Sequence, residues 1–303
     1  MAAALTDARD LTASDLDDVV ALIAAQQRRP ERAIVYLGDT AGGIRAELED
    51  LTPPWTSTLR LAWHHDVLVG AALAEWDEEL GRAWLFGPWL AGDDDLWARW
   101  ARPLADALLW QLPGTVTTRE LSGPTANVRL ARLAHELGWP ASEVNHAYVL
   151  REPAVLGWPP AADDGLRDAT AEDLAVVATL HDAEFPGTYF SAQQLIERAD
   201  RGEHVVLVAA APDGRVEGYV AGRVQPDGTG YVEFLVVDPA ARRAGTGRRL
   251  VTGISRRLLA VATTPEVHLT VQDHRAPARA LYAALGFRNE LSFVAYRSPA
   301  AGT

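Results

Sequence analysis

Apolar positions recur with a helical period near the start of the chain, where LTASDLDDVVAL at 11–22 predicts a capped amphipathic helix. ATAEDLAVVATL at 169–180 predicts a second one. Downstream the period shifts to that of strands: HVVLVAA, RVEGYVAGRV and YVEFLVV are rich in β-branched residues and bounded by turn residues, with Asp213-Gly214 marking a hairpin. GRRLVTGISRRLLAVA returns to the helical period, with Leu250, Ile254 and Leu258 four residues apart. EVHLTVQ then predicts a strand, and PARALYAALGF a short helix ended by Gly286.

The two helical segments are copies of one pattern. Thr12, Ala13, Asp15, Leu16, Val19 and Leu22 recur at an offset of 158 as Thr170, Ala171, Asp173, Leu174, Val177 and Leu180. Farther along, Gly70, Phe86, Leu133, Leu137, Gly138, Ala147 and Tyr148 recur at an offset of 148 as Gly218, Phe234, Leu281, Leu285, Gly286, Ala295 and Tyr296. A duplication follows, its second copy ten residues shorter between the first helix and Gly218. The expected division is a first domain at 1–153, a Pro-rich linker at 154–165 and a second domain at 166–303. Each is expected to be an α/β unit with a mixed, mostly antiparallel sheet flanked by helices.

Composition narrows the chemistry. The 303 residues contain no Cys, which removes disulfides, thiolate metal sites and a cysteine nucleophile. All 28 basic residues are Arg, so a lysine Schiff base and the lysine of a triphosphate loop are absent too. The net charge of −13 argues against a nucleic-acid binder and favours a cationic substrate. The first half, 1–158, holds 13 Arg against 23 acids and all ten Trp. The acidic amino terminus lacks a basic flank, and no apolar stretch approaches a membrane span, so a cytoplasmic protein is expected. His64, His65, His268 and His274 lack ligand spacing, and no metal site is expected.

The informative stretch is YVEFLVVDPAARRAGTGRRL at 231–250, a strand running through small residues into a helix. The first turn of a helix carries unpaired N–H groups and partial positive charge, and glycine lets a diphosphate approach the backbone. Arg243, Ala244, Gly245, Thr246, Gly247 and Arg248 are the candidates to supply those amides. Leu250 stands where a dinucleotide fingerprint would place Gly, so that alternative fails. Val237-Asp238-Pro239 followed by Arg242-x-x-Gly245-x-Gly247 resembles the acetyl-CoA signature of the GCN5-related N-acetyltransferase (GNAT) superfamily. So does the closing run Ala278, Leu281, Tyr282, Leu285, Gly286, Phe287, in which Arg275 replaces the usual Asn. The tandem plan resembles that of the mycothiol synthase family.

The resemblance implies acetyl-CoA as co-substrate and an N-acetyltransferase acting directly on a primary amine of a small molecule. It implies that the main chain of Leu235, Val236 and Val237 binds the cofactor where two strands part, with Arg242 at the diphosphate. Tyr282 matches the position that protonates the departing thiolate. Glu233, two residues before Leu235, is the candidate base, and alternation places it on the same face as Leu235 and Val237. Glu184 and Tyr189, in HDAEFPGTYFS at 181–191, are the candidate acceptor contacts. The first copy has Ala134 at the Tyr282 position and Asp94, Trp97 and Arg99 in the phosphate loop, so it reads as degenerate. The alternative is a non-catalytic acyl-CoA-binding sensor or assembly module. Neither the acceptor nor the oligomeric state is written in the sequence.

Overall fold

The computed structural model describes residues 4–7, 11–155, 157–158 and 165–299, so most of the expected linker lies outside the described residues. The chain forms two compact units: 1–144 with 292–303, and 145–291.

In the first unit β1 (Ala4–Asp7) precedes α1 (Ala13–Gln27), α2 (Ala41–Glu49) and α3 (Trp55–Thr58). Strands β2 (Arg60–His64), β3 (Val67–Asp77) and β4 (Arg82–Leu90) lead to α4 (Asp94–Gln111), β5 (Thr118–Pro124) and α5 (Val128–Glu136). In the second, β6 (Asn145–Arg151), α6 (Glu152–Val155) and β7 (Leu166–Asp168) lead through a 3₁₀ turn to α7 (Leu174–Glu184) and α8 (Ala192–Asp200). There follow β8 (Val205–Ala210), β9 (Val216–Val224), β10 (Gly230–Val237), α9 (Thr246–Leu259), β11 (Glu266–Gln272) and α10 (Ala276–Ala284). The last strand, β12 (Arg288–Arg297), carries the chain back into the first unit, where it pairs antiparallel with β5.

The same plan is built twice. Strand order is β1-β2-β3-β4-β5-β12 in the first unit and β7-β8-β9-β10-β11-β6 in the second. In each, one pair is parallel, β4 with β5 and β10 with β11, and the other pairs are antiparallel. The sequence copies and the compact units differ in one strand each. Ala147 and Tyr148 lie on β6, which pairs with β11 of the second unit, while their repeats Ala295 and Tyr296 pair with β5 of the first.

The helices form where the pattern requires them. Thr12 accepts from the Asp15 amide, and Asp15 accepts from the Thr12 amide at 2.8 Å. Thr170 and Asp173 form the repeat of this box ahead of α7. On α9, Leu250, Ile254 and Leu258 are fully buried against the sheet with Leu207, Val220 and Leu269. Full burial stabilises by roughly 1.5–3 kcal/mol per such side chain. On the sheet's other face, Val177 of α7 and Leu195 of α8 pack on Val208, Tyr219, Phe234 and Val236. The second unit is thus three layers deep, with β10 at its centre.

Candidate active site

Strand β10 pairs with β9 along its whole length but with β11 only at Gly230–Val232. Beyond Val232 the two strands part, so the main-chain groups of Glu233–Val237 on that edge have no partner on β11. A cleft of about 450 Å³ opens in the gap. Its walls are Glu233 and Leu235 of β10, Thr270 of β11, Arg275 and Tyr282 at α10, and Glu184 at the end of α7. A second cleft, walled by Val149, Arg151, Phe287 and Arg288, contains none of the candidate residues.

The parting of the strands coincides with a β-bulge, and the bulge corrects one expectation. The β9–β10 register shifts between Val232 and Phe234, placing one extra residue, Glu233, in β10. Val232, Leu235 and Val237 pack on the α9 face, whereas Phe234 and Val236 pack on the α7–α8 face. Glu233 joins the second group rather than lying beside Leu235 and Val237. Its buried carboxylate is held by His204 Nε2 at 2.9 Å on one oxygen and by Arg223 Nε at 3.0 Å on the other. Simple alternation fails because a bulge resets the period.

Neither partner of Glu233 was singled out by the sequence. His204 precedes β8 and Arg223 ends β9, and only strand register brings them to Glu233; no spacing motif encodes that. His204 packs edge-on against Phe190, and its buried Nδ1 has no partner among the described residues. Tyr189 lies outside the cleft wall, its ring against Phe190 and Phe234. Burial and the neighbouring Glu233 charge push the Tyr189 phenol far above its ordinary value.

Tyr282 is 6% exposed and packs on Tyr148 and Phe287. Burial pushes its phenol up to about 12, with nearby Arg275 opposing the shift. Glu184 is ion-paired with Arg275 and lies 3.8 Å from Arg242.

The loop after β10 is shaped for an anion. Arg243 and Gly245 adopt positive φ, 67° and 87°, and Gly245 is the N-cap of α9. Glycine has no side chain to accept a hydrogen bond, and no acid stands in the first turn, so these amides keep their positive end open. Arg242, Arg243, Ala244, Gly245 and Arg248 are exposed. Among the described residues Arg243 and Arg248 pair with no carboxylate, whereas Arg249 and Thr246 are engaged by Glu217 and Arg257 by Asp168. Thr246 is buried, and Gly247 packs near Leu281 and Val237. Arg242 Nε also donates to the Val237 carbonyl at 3.2 Å. These features fit a diphosphate-bearing cofactor.

The first unit shares the strand parting, with β4 pairing to β5 only at Arg82–Leu85, and a register shift between β3 and β4, but among the described residues it has neither the open loop nor the cleft. Its helix α4 begins sooner, so Asp94, Trp97 and Arg99 lie within the helix instead of a loop. Pairing of β4 with β5 continues to Leu85, the residue in register with Glu233 in the duplication. The space beside it, bounded by Tyr36, Trp84, Phe86 and Glu120, has no room for a water molecule.

Residues 174–287 match the model of the acetyltransferase (GNAT) family. A mycothiol acetyltransferase from Thermomonospora curvata is 39% identical over 93 residues, 31% of this chain and 31% of that protein. The alignment thus spans about a third of that curated relative. A GCN5-related N-acetyltransferase from Sphaerobacter thermophilus superposes with a TM-score of 0.64 at 15% identity, covering 99% of this chain and 98% of that one. A tandem GNAT protein from the clavulanic acid biosynthesis pathway gives a TM-score of 0.52 at 19% identity, with 99% of each chain covered. The chain has the fold of tandem GNAT proteins, and its residues 174–287 match the acetyltransferase (GNAT) family model.

Proposed function

We propose that the second unit transfers an acetyl group from acetyl-CoA to a primary amine of a small molecule, by direct attack in a ternary complex. The carrying observation is the parting of β10 and β11 after Val232, which opens a cleft between Glu233 and Tyr282. In this reading the α9 amides, Arg242, Arg243 and Arg248 hold the diphosphate, and the free β10 edge holds the acyl arm.

Acetyl-CoA supplies the activated acyl group, and the chain supplies position and proton handling. A carboxylate has about four lone-pair sites, and His204 and Arg223 engage one on each oxygen of Glu233. The rest can receive an acceptor N–H, directly or through a water. These two partners also fix the carboxylate, so little ordering is left for the moment of reaction. Tyr282, held neutral by burial, offers its O–H toward negative charge developing on the departing sulfur. The sequence holds no Cys to carry the acyl group as a thioester, which is consistent with direct attack. The first unit is read as a copy that has lost cofactor binding, and the protein as cytoplasmic.

The test is amine-dependent release of free CoA thiol by the full chain across an amine panel, with Glu233→Gln as control. Amine-dependent release that the variant loses supports the reading. No release with any amine, from protein that binds acetyl-CoA, overturns it in favour of a non-catalytic binding module.

A further inference from the structure

Arg275 stands where the family resemblance places Asn, and the first unit shows what that Asn does structurally. Asn127, its counterpart in the duplication, caps α5: its Oδ1 accepts from the Leu130 amide at 3.0 Å, and its Nδ2 donates to the Ala33 carbonyl at 2.8 Å. Two neutral bonds thus tie the helix to the segment after α1, and Asn127 is 2% exposed.

In the second unit the same two places are tied differently. Arg275 makes no side-chain cap on α10; its guanidinium runs instead to Glu184 at the end of α7. Both side chains line the cleft, 33% and 24% exposed. Arg242 approaches the other Glu184 oxygen at 3.8 Å, so one carboxylate faces two guanidinium groups. A purely structural tie needs no charge, as Asn127 demonstrates. The cleft wall thus carries an ion pair where the first unit has a neutral side chain, and a guanidinium fork matches a carboxylate or phosphate bidentately.

We propose that Arg275 is a specificity-determining residue that binds an anionic group, carboxylate or phosphate, carried by the acceptor amine and displacing Glu184 from the pair. This rests on reading the second unit as an N-acetyltransferase. The anion has two possible sources, the acceptor and the CoA diphosphate. Arg242, Arg243, Arg248 and the α9 amides are already available to the diphosphate, which leaves Arg275 for the acceptor.

The test uses the full chain, thiol release from acetyl-CoA, and amines matched with and without an anion: glucosamine and its 6-phosphate, ethanolamine and phosphoethanolamine, agmatine and arginine. The anionic member of at least one pair is expected to have the higher kcat/KM, by roughly ten- to hundredfold, the range of one charged hydrogen bond. Arg275→Asn, which copies the Asn127 side chain of the first unit, should erase that preference by raising the acceptor KM, with the acetyl-CoA KM within twofold. Arg275→Lys keeps the charge without the fork and should retain part of it; this variant decides the matter if the first fails to fold. The proposal is overturned if neutral amines are preferred, if the preference survives Arg275→Asn, or if the acetyl-CoA KM rises instead. It is also overturned if neutral amines are acetylated and no anionic one is, whereas failure to bind acetyl-CoA, or binding without release from any amine, would sink the acetyltransferase reading itself.

Discussion

Asp93 and Gly245 are the N-caps of α4 and α9, the helices that follow the central strand of each unit, and they treat the helix amides in opposite ways. The Asp93 carboxylate accepts from the Leu96 amide at 3.0 Å, with Asp94 and Asp95 close behind. Gly245 offers no acceptor and is followed by no acid. A carboxylate already satisfies the first helix where an anion would bind. Asp93→Ala should therefore lower stability by about 1 kcal/mol, the usual worth of a cap, and leave acetyl-CoA affinity unchanged. Urea unfolding and calorimetry check the two halves of that statement.

Replacing Tyr282 by Phe preserves its packing on Tyr148 and Phe287 but removes the O–H. We expect kcat to fall roughly 10²-fold with little change in acetyl-CoA affinity. The phenol is pushed up to about 12, so no loss of activity due to Tyr282 should occur below about pH 11. Its folded value lies above the unfolded one near 10, so the native state holds the proton longer and stability falls as pH rises from about 10 to 12. A Tyr282→Phe protein lacking this extra loss would agree; identical alkaline unfolding of the two would not.

Glu233→Gln keeps the shape of the bulge but removes the charge shared with His204 and Arg223. The expected loss in kcat is roughly 10²- to 10⁴-fold, as for a general base, with acetyl-CoA binding intact. An unchanged kcat would show that Glu233 only anchors His204 and Arg223.

Arg167 holds the Asp173 carboxyl below its ordinary value through two hydrogen bonds at 2.6 and 2.8 Å. A lowered carboxylate contributes stability that is fully present above its unfolded value near 3.9 and is lost as pH falls through the folded value. Arg167→Ala should therefore destabilise the protein at pH 7, with the deficit shrinking toward pH 2. Thermal melts at both ends of that range decide; an equal deficit at each would mean the contact acts through packing instead.

The elements themselves were legible because their periods are strong. β11 occupies the segment 266–272 expected for it, and the Asp213-Gly214 turn joins β8 to β9. α8 carried a readable signal, Ser191 with Gln194 three residues on, which forms a capping box. The bulge at Glu233 was not legible, because alternation carries no mark of where a ladder gains a residue. Nor was the exchange of β6 and β12, since equivalent strands with equivalent patterns leave the choice of partner to the assembled sheets. Arg275 stood out as a departure from the family pattern, but its partner Glu184 lies 91 residues away. Motifs located the cleft; the charge network within it depends on register.

The central claim is that one of two related units binds acetyl-CoA, through the uncapped start of α9. Calorimetric titration of the full chain with acetyl-CoA, repeated on Gly245→Asp, tests it most directly. A Cβ at Gly245 meets nothing within 4 Å, and Asp tolerates a positive φ better than most residues, so the variant should fold while placing an anion in the loop. The account predicts one site in the native chain and none in the variant. Two sites, no site, or a single site untouched by the substitution would contradict it.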